Sequence, residues 1–186
     1  SVAARARAQG LSEAQLLPGQ PMSVDHFINN PQCRLYTSKG MEADSSRYCG
    51  GAIFVDSASK YIHIEFQVAL NSHETLESKI KFENFCLECG VAPQSYLSDN
   101  GSAFTSRDYV AHLREFHQVQ KLAGVGAHHH NGIAERSIRT VLGMARTMML
   151  YASIHWPELT DLALWPMAVQ YAVFIWNRLP SAHTGL

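Results

Sequence analysis

Tyr96-Leu97-Ser98-Asp99-Asn100-Gly101 reads as a short strand that stops at an aspartate, because Asn-Gly is a strong turn signal. Further along, Asn131-Gly132-Ile133-Ala134-Glu135-Arg136 opens a long stretch without proline whose only interior glycine is Gly143, so a helix is expected from Ile133 to Ile154 with Glu135 in its first turn. A strand-end aspartate and a helix-start glutamate are what a metal-dependent phosphoryl transferase needs, since its carboxylates must converge from separate elements.

Working outward, Met22-Ser23-Val24-Asp25-His26-Phe27-Ile28 partly alternates, with Met22, Val24 and Ile28 toward one side. Asn29 to Tyr48 is polar and punctuated by Pro31 and Gly40, as in a long hairpin arm or loop. Gly51 to Asp56 and Tyr61 to Phe66 read as two strands joined by Ser57-Ala58-Ser59-Lys60. Asn71 followed by Glu74 is a helix-start pattern, and Leu76, Ile80, Phe82, Phe85, Cys86 and Cys89 offer an apolar face from about 72 to 89. Residues 106 to 116 are expected to be helical over Tyr109, Val110, Leu113 and Phe116, and Val119 to Leu122 to form a brief strand. The long helix should bury Ile138, Leu142, Ala145 and Met149, and a last apolar helix should cover 158 to 178 after Pro157. Three strands and then alternation with helices predict a five-stranded mixed α/β sheet flanked by helices on both faces.

The 186 residues fit one domain, read as a linker or flexible N-terminal segment over 1–20, a core over 21–180 and a C-terminal tail over 181–186. No apolar run approaches the roughly 20 residues of a membrane span, so an intracellular protein is expected. A net charge of −1 gives no global pull toward nucleic acid, which leaves any such contact to locally placed cations. Cys86 and Cys89 have the gap of a zinc half-site, but Cys33 and Cys49 lack close spacing, so two thiols on one buried helix face are preferred. Three adjacent histidines, His128 to His130, cannot all face one ion.

Asp25 in a first strand, Ser98-Asp99-Asn100-Gly101 after a later one and Asn131 to Arg136 at a helix start together resemble the catalytic core of retroviral-type integrases. The Asn-Gly-Ile-Ala-Glu-Arg form, with Met144-Ala145-Arg146-Thr147-Met148 and the stretch from Trp165 to Asn177-Arg178-Leu179-Pro180, looks closest to integrases of copia-type retrotransposons over about residues 22 to 180. The resemblance implies a ribonuclease-H-like fold, a site of three carboxylates (Asp25, Asp99, Glu135), and processing and joining of DNA 3′ ends by direct transesterification. Asp56 is a rival for the first carboxylate, and Asp25 is preferred because the resemblance places that group within the first strand.

Three converging carboxylates repel one another unless cations lie between them, and Mg²⁺ or Mn²⁺ is the hard, oxygen-seeking choice. Two such ions, about 3.5 to 4 Å apart, would serve the attacking and leaving oxygens of an in-line displacement. Arg139 is the preferred phosphate contact, one turn beyond Glu135, with Arg136, Asn131, His129 and His130 as further DNA-binding candidates. Expected partners are element ends and target DNA and a second copy of the chain, with action in the nucleus and earlier residence in a cytoplasmic virus-like particle. A ribonuclease-H-like nuclease and an inactive DNA-binding or dimerisation module are the alternatives. No zinc-module spacing precedes Asp25, so a core fragment weak in full integration is expected.

Overall fold

The computed structural model describes residues 16–33, 47–123 and 131–180. Five strands, β1 (Met22–Cys33), β2 (Tyr48–Asp56), β3 (Ile62–Gln67), β4 (Ser95–Ser98) and β5 (Val119–Leu122), form one sheet in the order β3-β2-β1-β4-β5. β1 pairs antiparallel with β2, as does β2 with β3, whereas β4 runs parallel to β1 and β5 parallel to β4. The helices are α1 (Ser72–Glu88), α2 (Arg107–Glu115), α3 (Gly132–His155) and α4 (Trp165–Trp176). The mixed sheet and the element order agree with the expectation from sequence.

Two apolar cores lie on the two faces. Phe27, Ile53, Val55, Ile62 and Ile64 meet α3 and α4 through Val141, Ala145, Trp165 and Val169, while Met22, Val24, Phe54 and Tyr96 meet α1 and α2 through Phe82, Cys86, Tyr109 and Leu113. β2 is buried from Gly50 to Asp56, which explains its nearly continuous apolar run. Gly51 is required there: a Cβ would stand 2.3 Å from the Glu65 carbonyl oxygen of the neighbouring strand. Ile28 keeps the phase of Met22 and Val24 but is 68% exposed, since the β1–β2 pairing becomes irregular beyond it.

Some expectations need correction. α1 does bury Phe82 and Cys86, yet Ile80 and Cys89 are exposed and the inward positions include Lys79 and Glu83. On α2, Phe116 is likewise exposed beyond the buried Tyr109 and Leu113. The expected helix over 158–178 is instead two 3₁₀ turns, Pro157–Leu159 and Leu162–Leu164, followed by α4. Pro166 is the reason: lacking an N–H, it sits in a first turn, and Asp161 caps the turn before it by accepting from the Ala163 N–H at 2.8 Å. Among the described residues no helix is long and apolar enough to cross a membrane.

The inward charges on α1 are fully engaged. Lys79 Nζ donates to Glu83 Oε1 at 2.6 Å, Gln118 Oε1 at 2.7 Å and His112 Nδ1 at 2.9 Å, using all three ammonium donors. Glu83 Oε1 also accepts from the Tyr96 hydroxyl and the Gln118 amide, each at 2.6 Å. The Lys79 ammonium lies over the Tyr96 ring, 4.9 Å from its centroid. Burial pushes the Lys79 pKa down and Glu83 opposes it; burial and then the Lys79 charge push His112 down, so His112 acts as a neutral acceptor. This cluster joins α1, α2, β4 and the segment entering β5. Lys79→Met should therefore cost about 3 kcal/mol or more in urea unfolding, by leaving the Glu83 carboxylate buried without its cation, whereas Ile80→Ala should cost less than about 1 kcal/mol.

Candidate active site

Sheet register sets where Asp25 points. Met22 pairs with Tyr96 and Ser23 with Leu97 across the parallel β1–β4 ladder, and continuing that register by two residues brings Asp25 level with Asp99. Side chains alternate along a strand, so Asp25 shares a face with Phe27, which packs in the core under α3 and α4. α3 covers that same face and carries Glu135 in its first turn.

Each carboxylate is held differently. Asp25 is half-buried, and its Oδ1 accepts the His26 N–H at 2.8 Å. Asp99 is exposed one position past β4, and its Oδ1 accepts the Gly101 N–H at 2.9 Å, closing the Asp-Asn-Gly turn. A Cβ on Gly101 would press on that oxygen from 2.9 Å, so the glycine makes room for the carboxylate. Asn100 ties the turn to the end of β5 by donating to the Ala123 carbonyl at 2.8 Å. Glu135 is exposed near the N-terminal end of α3, where the helix dipole favours a negative charge.

Electrostatics link the three groups. Burial pushes the Asp25 carboxyl from its ordinary 3.8 up to about 6; the His26 N–H opposes this, and the negative charges of Asp99 and Glu135 raise it further. Among the described residues no three His, Cys, Asp or Glu side chains are gathered tightly enough to hold a metal as they stand. The carboxylates are within electrostatic reach of one another, and like charges oppose closer approach. The all-oxygen donor set suits Mg²⁺ or Mn²⁺, and a divalent cation would reverse the repulsion that raises Asp25.

The rival carboxylate is otherwise occupied. Asp56 is buried, and accepts from the Gly19 N–H at 2.9 Å, the Ser59 N–H at 2.7 Å and the Ser59 hydroxyl at 2.6 Å. It closes the turn before Lys60 and anchors the chain entering β1. Of the expected DNA contacts, Arg136 and Arg139 are exposed on α3, and no ion pair among the described residues joins Arg139 to Glu135. Asn131 is not presented to solvent: it is 2% exposed and its amide donates to the Val24 carbonyl at 3.0 Å. His129 and His130 lie outside the described residues, as does His128.

Sequence reasoning passed over His26. Its Nε2 meets the Thr75 hydroxyl at 2.9 Å, its ring stacks on Phe104 with centroids 4.6 Å apart, and the Asp99 charge acts on it against the downward push of burial. Its one signal was adjacency to Asp25. An ionised Asp25 costs the metal-free fold stability, fully above about pH 6 and vanishing as pH falls toward 3.8. Asp25→Asn, which keeps the oxygen facing the His26 N–H, should thus stabilise the chelator-treated domain by about 1 kcal/mol at pH 7.5, once solvent screening at this half-buried site is allowed for, and by nothing measurable near pH 4.

No family model matches the chain. It is 29% identical over 136 residues to the retrovirus-related Pol polyprotein from transposon TNT 1-94 of Nicotiana tabacum, a match that takes in 69% of the chain but only 9% of that relative's length. Solved structures of the HTLV-2 integrase catalytic core domain in complex with magnesium resemble it across their length. The dimeric form aligns with a TM-score of 0.58 at 19% identity, covering 89% of this chain and 90% of that one, and the trimeric form with 0.60 at 18%, covering 91% and 93%. A chain of the simian T-cell lymphotropic virus intasome, in complex with the PP2A regulatory subunit B56 gamma, aligns at 0.59 and 18% identity over 89% of this chain and 50% of its own. The chain is thus similar in sequence to part of a retrotransposon Pol polyprotein and shares the ribonuclease-H-like fold of the integrase catalytic cores.

Proposed function

We propose that this domain is a metal-dependent polynucleotidyl transferase that processes DNA 3′ ends and joins them to target DNA. The observation that carries the reading is geometric: the β1–β4 register brings the half-buried Asp25 level with Asp99, and α3, which covers the same face, carries Glu135 in its first turn. Such a trio is costly to a fold and has a use where cations bind. Asp25, Asp99 and Glu135 would hold Mg²⁺ or Mn²⁺, two ions in the fuller reading. When bound, the metal neutralises charge on the phosphoryl oxygens and polarises the reacting bond. The magnesium named with the two HTLV-2 cores is in keeping with this choice.

The chain's own residues then position and align. The Asp99 turn and Gly101 fix one carboxylate, the start of α3 fixes another, and Arg136 and Arg139 offer exposed cations to DNA phosphates beside them. With a net charge of −1, DNA affinity must rest on such local cations. Association with a second copy suits α4, which has no charged residue and leaves Met167, Tyr171 and Phe174 exposed.

The test is product analysis with a labelled donor duplex, target DNA and Mg²⁺ or Mn²⁺. Joined donor–target product is expected, reduced at least about a hundredfold in Asp99→Asn and Glu135→Gln. Cleavage without joining would transfer the assignment to a nuclease, and metal-independent product would end the metal reading. Arg139→Ala should weaken DNA binding and lower the slope of log affinity against log salt by about one. An unchanged slope would remove Arg139 from the phosphate contacts.

A further inference from the structure

We propose that Asn131 is a positioning residue that sets the distance between Glu135 and Asp25; the proposal rests on the carboxylate-site reading above. Asn131 immediately precedes α3, the place where asparagine ordinarily accepts an N–H of the first turn. Elsewhere in this chain such residues do so. Asn71 accepts from the Glu74 N–H at 2.9 Å before α1, and Ser106 from the Tyr109 N–H before α2. Asn131 makes no side-chain cap, and its backbone, at φ −99° and ψ 18°, departs from the extended geometry of those two residues.

Its amide instead donates to the Val24 carbonyl at 3.0 Å, across 107 positions of sequence. Val24 is the residue before Asp25, and Asn131 stands one helical turn before Glu135. A single hydrogen bond therefore joins the two elements that carry two of the three carboxylates. It forms just past Ser23–Leu97, where the paired register of β1 with β4 ends. The position is unfavourable for stability on two counts. The cap is forgone, at about 1 kcal/mol, and the Asn131 Oδ1 is buried with no partner among the described residues. A residue chosen to stabilise α3 alone would look like Asn71. Asn131 looks like one chosen to hold α3 against β1.

Carboxylates sharing a cation must be held to within about 0.5 Å, and groups that orient ligands typically contribute 10- to 100-fold to metal affinity. Serine is also a favoured cap residue but is too short to span to Val24. In the DNA-free domain, titrated with Mn²⁺ and followed by the electron paramagnetic resonance of the free ion, Asn131→Ser should bind at least about tenfold more weakly than wild type while keeping its unfolding midpoint. Asn131→Gln, which retains the amide donor, should recover part of the affinity. Ala145→Gly loosens α3 without touching the link and serves as the control for general destabilisation.

Binding by Asn131→Ser equal to wild type, in a protein whose Mn²⁺ binding is lost in Asp25→Asn, would overturn the positioning role and leave the site reading standing. A loss of affinity that follows the unfolding midpoint alike in Asn131→Ser, Asn131→Gln and Ala145→Gly would also overturn it. Mn²⁺ binding indifferent to Asp25→Asn would remove the site reading and the positioning role with it.

Discussion

Because Met22 lies against Tyr96 and Ser23 against Leu97, a slip of one residue between β1 and β4 would turn Asp25 to the face covered by α1 and take it away from Glu135. The register is pinned from several directions. Tyr96 is buried and bonded to Glu83 of α1, Met22 and Val24 belong to the same core as Tyr96, and Asp56 opposite Met22 holds the chain entering β1. The two faces of the sheet thereby divide the work: α1 and α2 lock the strands, and α3 brings the third carboxylate to the other side.

The locking side is unusual in using charge. A buried ammonium with three acceptors costs desolvation, and that cost is offset only because every donor is matched. A leucine at position 79 would fill space but could not tell Glu83, Gln118 and His112 apart. The ammonium joins α1, α2 and the approach to β5 in one arrangement, and the strand it steadies through Tyr96 and Glu83 ends one residue before Asp99.

Opposite this, the candidate site is assembled from compromises. Asp25 is burdened by burial and by two like charges, Asn131 gives up a helix cap, and Asp99 leaves a four-residue strand through a tight turn. The first two features weaken the metal-free fold, and in the proposed reading all three serve to hold oxygen ligands for a cation. Local rules are most often broken where function has a claim on the residue.

The start of α1 and the end of β4 were legible because they rest on neighbours in sequence: Asn71 with Glu74, and the turn at Asn100-Gly101. Pro166 carried a local signal too, and weighing it would have ended the expectation of one helix from 158 to 178. Asp99 and Glu135 stood out as a strand end and a helix start, and the pairing acquired meaning through its resemblance to integrase cores. Tertiary structure alone decided which carboxylates are spent. Asp25 and Asp56 are both strand aspartates; Ser59 engages Asp56 from three residues away, but only the fold adds Gly19 to Asp56 and sets Asp25 within reach of the charges of Asp99 and Glu135. The inward face of α1 was hidden for the same reason, since Lys79 and Glu83 read as solvent-facing until Tyr96, His112 and Gln118 close around them. Asn131 reads as a cap from its neighbours and becomes a strut only with Val24 beside it. Sequence determines backbone geometry a few residues at a time, whereas the state of a charge or an amide depends on whatever the fold brings within a few ångströms of it.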